Sequence, residues 1–358
     1  MSLRLILSLS ILLILVAAAT TTEEEDIVDF LKRYVDPLEV PKLLESGVTE
    51  RYKNILQLAR FINEESGLPY KAAPNKFVLY TGEEVYAMLR DPQKCSTSTT
   101  LTVNQNLTEA AVPETKDWRE DGIVSPVQDQ GRCASGWAFS ATGALEAAYH
   151  QAFGEGISLS GQQLLDCDRA FGNAGCKGGL PSQAFAYVKH NGGIATKDNY
   201  ASVAEERACK FRPEDLSVNV LDSVTAGSED ELKHAVGLVR PVTVTFAVPH
   251  DFLYYKEGVF TDSSCDLFTN RTGHAGLVVG YGVENSIPYW LVKNSWGSDW
   301  GENGYFKIER GKNMCGKFFF DQLHFPFVFF FCQVLNHVHP TRLWLERLNY
   351  GTNGFTII

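Results

Sequence analysis

The stretch QGRCASGWAFS, residues 130–140, decides the fold of this chain. Gln130 stands six residues before Gly136, and the small-residue run from Trp137 to Ala152 predicts a helix that starts at the glycine. A helix N-terminus lowers the pKa of a neighbouring thiol and favours a developing negative charge. A nucleophilic side chain at residue 136 would therefore be activated by the helix start, but Gly136 has no side chain.

Three further motifs lie downstream. Cys176-Lys177-Gly178-Gly179 is a glycine turn, and glycine lets another backbone approach closely. Gly273-His274-Ala275-Gly276 places a histidine before an apolar strand pattern, and Asn294-Ser295-Trp296-Gly297 follows the next strand pattern. A cysteine peptidase needs a thiolate, a histidine to pair with it, a group to orient that histidine, and donors for the oxyanion. The chain offers all of these parts except the thiolate.

In the order and spacing of these motifs, the chain from about Asp117 to Gly316 resembles the papain family of cysteine peptidases, and within it the aleurain and cathepsin H branch. The resemblance implies an α+β fold of two domains with an active-site cleft between them. The left domain would be helical and hold the central helix, and the right domain would be an antiparallel β-barrel. The sequence agrees, since helix patterns dominate to about Lys210 and strand patterns such as 241–248 follow.

The resemblance also implies roles for individual positions. These are an oxyanion donor, an empty nucleophile position, a catalytic histidine, an orienting asparagine, a tryptophan that shields their hydrogen bond, and two substrate-binding glycines: Gln130, Gly136, His274, Asn294, Trp296, Gly178 and Gly179. The partners implied for such a cleft are peptide or protein substrates and cystatin-like inhibitors.

Gly136 removes the attacking group from this site. Loss of a hydrolase nucleophile lowers turnover by about a millionfold. Ser135 would point about 100 degrees away on a helix and has no assisting base, and Cys133 is expected in a disulfide. We therefore expect the chain to be catalytically inactive.

The chain has eight cysteines. By resemblance, six of them form the disulfides Cys133–Cys176, Cys167–Cys209 and Cys265–Cys315. Cys95 resembles the cysteine of a short propeptide remnant that stays tethered in cathepsin H. The position of its usual partner is Phe320 here, which leaves Cys332 as the spare cysteine.

The N-terminal segment predicts export. A positive start, a short apolar run and a small-residue end are typical of a secretory signal peptide, residues 1–19, and the apolar run is shorter than a membrane anchor requires. Export permits disulfides and makes the sequons at Asn106 and Asn270 candidates for glycosylation, although sequons also arise by chance. The expected destination is the vacuole or lysosome, or the extracellular space.

The rest of the chain divides into three segments. Residues 20–111 are charged, cysteine-poor and helix-patterned, which predicts a degenerate inhibitory prosegment and hence a zymogen. Residues 112–316 form the papain-like peptidase domain, and residues 317–358 form a tail without family resemblance. A helix over 49–65 is expected from a stripe of apolar residues at helical spacing: Tyr52, Ile55, Leu56, Ala59 and Ile62.

The resemblance ends abruptly after Gly316. The phenylalanine-rich residues 318–331 show neither clean period, so we expect the right domain to lack its closing strand and to expose aromatic surface. Such a break is typical of read-through into unspliced or frame-shifted sequence, in which case residues 317–358 would be a gene-model artefact.

Other positions also depart from the family pattern. Gly161 stands where a glutamate is usual, and Gly273 stands where a polar residue usually precedes the histidine. Leu58 and Leu79 occupy prosegment positions where an asparagine and an aspartate are typical. These departures agree with relaxed constraint on activity.

Bulk composition excludes some functions. A formal charge of -11 and a pI near 5.3 argue against a nucleic-acid partner, which would need clustered lysine and arginine. The sequence has no metal-ligand spacing and no phosphate loop, so no cofactor and no metal are expected. We expect a monomer without a stable membrane span.

The sequence thus predicts a papain-family peptidase homologue that has lost hydrolysis. Two alternatives remain open at this point. The chain could be a non-catalytic protein that keeps the cleft to bind peptides or inhibitors, or the product of a decaying gene.

Overall fold

A computed structural model describes residues 25–89, 111–203, 205–226, 228–262, 273–315 and 323–329. The predicted signal peptide, residues 1–19, and the sequons at Asn106 and Asn270 lie outside these residues. Within the described part, helices dominate to about residue 191 and strands dominate after it, around one large sheet. The predicted two-domain α+β fold is confirmed.

The helices of the described residues are α1 (Val40–Glu45), α2 (Val48–Arg60), α3 (Gly82–Met88), α4 (Gly136–Phe153), α5 (Gly161–Cys167), α6 (Pro181–Asn191) and α7 (Glu229–Leu238). A π-helical turn, Phe61–Glu65, continues α2, so the predicted helix over 49–65 is present. Shorter 3-10 turns cover Lys76–Leu79, Gly175–Lys177, Pro213–Asp215 and His250–Tyr254. None of the helices in the described ranges has the length and apolar character needed to cross a bilayer.

The strands are β1 (Tyr70–Ala72), β2 (Lys116–Asp117), β3 (Ile194–Ala195), β4 (Leu216–Ala226), β5 (Val242–Ala247), β6 (Tyr255–Phe260), β7 (Gly273–Glu284), β8 (Ile287–Lys293), β9 (Tyr305–Glu309) and β10 (Leu323–Phe329). The large sheet has the order β1-β6-β9-β8-β7-β2, with β5 also paired to β7. A smaller sheet has the order β10-β4-β3.

Helix α4 is the central helix of the left domain. It is rich in alanine and other small residues, and most of its first three turns are buried. Ser140 Oγ donates a hydrogen bond to the Gly276 carbonyl at 2.7 Å, and a Cβ at Gly143 would lie 3.2 Å from Leu277 Cδ2. Small side chains therefore let α4 pack closely on β7. This contact brings the start of the helix beside the start of the strand.

Residues 25–89, within the predicted prosegment, pack against the right domain. Strand β1 of this segment pairs antiparallel with β6, and Asn75 Nδ2 donates to the Leu253 carbonyl at 2.8 Å. The buried Phe77 ring meets Trp296 edge to face, with ring centroids 4.9 Å apart. Residues 25–89 thus contribute to the hydrophobic core of the right domain instead of forming a detached segment.

The expectation that no closing strand follows Gly316 is wrong, and the expected exposure of aromatic surface stays a prediction. Leu323–Phe329 form strand β10, which pairs antiparallel with β4 from Leu323 opposite Ala226 to Phe329 opposite Asn219. Apolar residues stand at 323, 325, 327 and 329, so a period of two is present that the neighbouring phenylalanines obscure. Pro326 is compatible with this strand because β10 lies at the edge of its sheet.

Candidate active site

His274 and Asn294 meet at the base of the cleft. His274 lies at the start of β7 and Asn294 directly follows β8, and the antiparallel pairing of these strands brings the two residues together. His274 Nε2 lies 2.8 Å from Asn294 Oδ1, which also accepts a hydrogen bond from the Ser295 backbone N–H at 2.8 Å. Because Oδ1 is an acceptor in both contacts, the imidazole carries its proton on Nε2. His274 Nδ1 is therefore the basic nitrogen.

The imidazole lies in an apolar, aromatic environment. Trp296 stacks on it with ring centroids 4.8 Å apart, and Phe246 meets it edge to face at 5.6 Å. Burial lowers the pKa of His274 to about 4, and the hydrogen bond to Asn294 opposes this shift. The histidine is therefore neutral at pH 7, in contrast to the imidazolium that pairs with a thiolate.

Gly136 begins α4, directly opposite His274. A Cβ placed on Gly136 would overlap the imidazole, at 2.7 Å from His274 Nδ1 and 3.2 Å from the Ala275 carbonyl oxygen. The ring therefore occupies the space that a side chain at residue 136 would need. Any nucleophile at this position requires the imidazole to move aside.

Gln130 is fixed by its neighbours. Its Oε1 accepts from Ser295 Oγ at 2.7 Å, and its Nε2 donates to the Cys133 carbonyl at 2.9 Å and to the Met88 carbonyl at 3.2 Å. The predicted oxyanion donor is thus aimed at a backbone carbonyl of the prosegment. Met88 and Leu89 line the same small cavity as Gly136 and His274, so the end of α3 occupies the cleft.

The two glycines of the 178–179 turn have different structural requirements. Gly178 has φ 107°, a conformation that favours glycine. A Cβ on Gly179 would overlap the Asn173 side chain and lie 2.9 Å from Trp137 Cδ2. The substrate-binding role of both glycines stays a prediction. At Gly179 the interior of the protein also requires glycine, because its missing Cβ would point towards Asn173 and Trp137.

The neighbours of Gly136 do not replace its missing thiol. Ser135 is buried, and its Oγ donates to the Cys133 carbonyl at 3.3 Å. Cys133 is bonded to Cys176 with an S–S distance of 2.04 Å. Neither side chain is available to attack a carbonyl in the cleft.

The other disulfides agree with the expected pairing where the structure describes both cysteines. Cys167 is bonded to Cys209, and Cys315 is also disulfide-bonded. Its expected partner Cys265 lies outside the described residues, as do Cys95, Phe320 and Cys332. No cluster of three His, Cys, Asp or Glu side chains suited to a metal ion occurs in the part of the chain that the structure describes.

Sequence reasoning missed several residues of this site. Met88 and Leu89 gave no motif signal, because their role depends on where the prosegment crosses the cleft. Asn173, which lies against Gly179, was also missed. Its only signal is its closeness in sequence to the glycine turn, between Cys167 and Cys176.

The fold and the site define the class of papain-like cysteine peptidases: His274, Asn294, Gln130 and Trp296 lie together beside Gly136. The chain belongs to the papain family of cysteine proteases, whose family model matches residues 112–318. The resemblance to the aleurain and cathepsin H branch is also confirmed by the curated relatives.

Thiol protease aleurain of Arabidopsis thaliana is 59% identical to this chain over 268 residues, which cover 74% of each protein. Pro-cathepsin H of Mus musculus is 46% identical over 252 residues, which cover 69% of this chain and 75% of the mouse protein. Among solved structures, the digestive procathepsin L2 proteinase of Tenebrio molitor larval midgut matches with a TM-score of 0.72 and 33% identity, covering 86% of this chain and 99% of that chain. The chain is thus similar to thiol proteases and to a procathepsin.

Proposed function

We propose that this chain is a catalytically inactive papain-family homologue that binds peptides or cystatin-like inhibitors in its cleft without cleaving them. The observation that carries the proposal is the position of His274. Its neutral imidazole fills the space at Gly136 where a nucleophile would stand, while its contacts with Asn294 and Trp296 are retained. Loss of the attacking atom together with retention of the surrounding site supports binding over hydrolysis.

The binding function would be latent in the full chain. Met88 and Leu89 are buried in the cleft, and the Met88 carbonyl occupies the donor of Gln130. A chain without a nucleophile cannot cut its own prosegment. Release of the cleft would therefore depend on another peptidase that cuts between residues 89 and 112.

We place this protein in the secretory pathway. The disulfides Cys133–Cys176 and Cys167–Cys209 support this proposal, because such bonds persist in oxidising compartments. Vacuole, lysosome and extracellular space all fit this condition.

Equilibrium binding tests the proposal. A cystatin-like inhibitor and a fluorescent unstructured peptide would be titrated into the full chain and into the chain after an added peptidase has removed the prosegment. We expect binding only after digestion, with the peptide recovered intact. Failure of the digested, cooperatively folded protein to bind either probe would overturn the proposal.

A second variant separates the cleft from the missing thiol. Gly136→Ala adds a Cβ that must displace the imidazole, but it adds no nucleophile. If the cleft binds peptide through its walls, this variant should retain affinity within about threefold and remain inactive. A large loss of affinity would indicate that the inward position of His274 is itself needed for binding.

A further inference from the structure

The glycine turn that would pair with a bound peptide is supported by two buried polar side chains. Asn173 Oδ1 accepts a hydrogen bond from the Leu180 backbone N–H at 2.7 Å, and Asn173 Nδ2 donates to Asp168 Oδ2 at 2.5 Å. Asn173 is 3% exposed and Asp168 is fully buried. Both side chains lie on the protein side of the Gly178–Gly179 segment, outside the set of residues expected at the site.

Asp168 fixes the orientation of the Asn173 amide. An ionised carboxylate offers only acceptors, so it selects the amide NH₂ and leaves the amide oxygen to face the Leu180 N–H. If the amide were reversed, its NH₂ would oppose the Leu180 N–H and its oxygen would oppose the carboxylate. Asp168 therefore acts on the Leu180 backbone through Asn173.

Asn173 also determines where the turn lies. A Cβ on Gly179 would be 2.8 Å from Asn173 Cγ and 2.9 Å from Trp137 Cδ2, so the bare backbone of Gly179 packs closely against both side chains. The Ala174 N–H donates to the Gly178 carbonyl at 2.9 Å, which closes the turn from the other side. The backbone that faces the cleft is thus held at Gly178, Gly179 and Leu180.

This arrangement carries a cost in free energy. Asp168 Oδ1 has no hydrogen-bond partner among the described residues, although the carboxyl is fully buried. Burial raises the pKa of Asp168 to about 7, and the hydrogen bond from Asn173 and the charge of Arg169 oppose the shift. A buried acceptor without a partner destabilises a fold. Natural proteins retain such features mainly where a site requires them.

We propose that Asp168 and Asn173 are positioning residues for peptide binding, which hold the Gly178–Gly179 backbone in the conformation that pairs with a bound peptide. The inference rests on the proposed function, because it concerns peptide capture in the same cleft. Asp168 and Asn173 do not touch the peptide. They act through the Leu180 N–H and the close contact with Gly179.

Exchanging the carboxyl and the amide between positions 168 and 173 tests the proposal at pH 8. Asn173→Asp puts two carboxyls against each other, and like charges at this distance repel. Adding Asp168→Asn restores one donor: the amide at position 168 donates to the carboxylate at position 173, whose other oxygen still accepts from Leu180. The matched control is Asn191→Asp, since Asn191 Nδ2 donates to the Gly193 carbonyl at 2.9 Å in the same domain, at the end of α6.

Peptide affinity is measured for each variant after prosegment removal, with a cooperative thermal transition as the check of folding. The same substitutions are placed in a Gly136→Cys background, where turnover of a peptide and alkylation by iodoacetamide are compared. Iodoacetamide is too small to need the 178–179 backbone. A general structural defect would slow both reactions, whereas a positioning defect would slow only the peptide reaction.

We expect Asn173→Asp to weaken peptide affinity and peptide turnover about tenfold, to leave alkylation within about twofold, and to be rescued by Asp168→Asn. Unchanged peptide handling, or no recovery in a folded double variant, would overturn the role of the pair. If the Gly136 protein binds no peptide but Gly136→Cys turns peptide over, the proposed binding function fails and the swap is still tested in the Cys background. Absence of both binding and turnover would overturn both proposals.

Discussion

The imidazole of His274 lies in the space that a side chain at Gly136 would occupy, because a Cβ on Gly136 would be only 2.7 Å from His274 Nδ1. A cysteine peptidase attacks with a thiolate that pairs with an imidazolium. Under the proposed function, Gly136 stands at the thiolate position and the imidazole of His274 fills the space of the absent side chain. Trp296 stacks on the imidazole with ring centroids 4.8 Å apart.

This relationship predicts an unusual histidine titration. With no thiolate nearby and with its ring buried, His274 should titrate near pH 4, as its environment implies. Placing a thiol opposite it with Gly136→Cys should raise that pKa, because a thiolate favours the imidazolium. Histidine NMR titration of both proteins measures the shift, with His274→Gln for assignment. A His274 pKa of about 6.5 or higher in the Gly136 protein would contradict the buried, unpaired imidazole.

The same shift contributes to stability in acid. The folded-state pKa of His274 is depressed from 6.5 to about 4, so the unfolded chain binds more protons between these values. Stability from this group is therefore present above pH 6.5 and is lost as the pH falls towards 4, by on the order of 3 kcal/mol. Urea unfolding at pH 7 and pH 4 would detect the loss as a difference between wild type and His274→Gln.

Asp168 should have the opposite pH dependence. Its folded-state pKa is raised from 3.8 to about 7, so the folded chain binds the extra proton and stability falls as the pH rises from 4 to 7. Arg169 and Tyr187 are the titratable groups coupled to it. Asp168→Asn should be more stable than wild type at pH 8 by about 4 kcal/mol, with the difference vanishing near pH 4. Equal pH profiles of the two proteins would contradict this assignment.

Phe77 should anchor the prosegment to the right domain. It is 2% exposed and packs edge to face on Trp296. Phe77→Ala should destabilise the full chain by about 3 to 5 kcal/mol, the range for a buried phenylalanine, and should let an added inhibitor enter the cleft without digestion. Urea unfolding and inhibitor binding to the intact chain measure the two effects.

A matched control comes from the same segment. Phe61 is 51% exposed, so Phe61→Ala should change the free energy of unfolding by less than about 0.5 kcal/mol. If Phe77→Ala and Phe61→Ala lowered the free energy of unfolding equally, the contact of Phe77 with Trp296 would not be what holds the segment in place.

Much of the fold follows from local patterns in the sequence. The run from Trp137 to Ala152 predicted a helix, and α4 spans Gly136–Phe153. The apolar stripe on α2 and the π-helical turn after it is also present, because Ile55, Ala59 and Ile62 are buried. The residue pattern predicts these helices correctly because α2 buries one face and α4 buries most of its residues. It failed at β10, where phenylalanines at neighbouring positions obscured an alternating strand.

The sequence indicated which residues come together here, but not how they are arranged. Motif spacing indicated His274, Asn294 and Gln130 because each stands in a recognisable local sequence. The inward position of the imidazole and the contact of Gln130 with Met88 depend on volumes and backbone paths that residues distant in sequence create together. The requirement for glycine at 179 depends in the same way on Asn173 and Trp137.

The most direct measurement of the central claim is the rate of peptide hydrolysis by the digested, folded wild-type protein beside Gly136→Cys. We predict no turnover above background for wild type, and turnover in Gly136→Cys that is faster by a factor on the order of 10⁵ or more, because the added thiol supplies the attacking atom once the imidazole moves aside to pair with it. His274→Gln in the wild-type background controls for a contaminating peptidase. Wild-type hydrolysis within about a hundredfold of the Cys variant, and abolished by His274→Gln, would contradict the account.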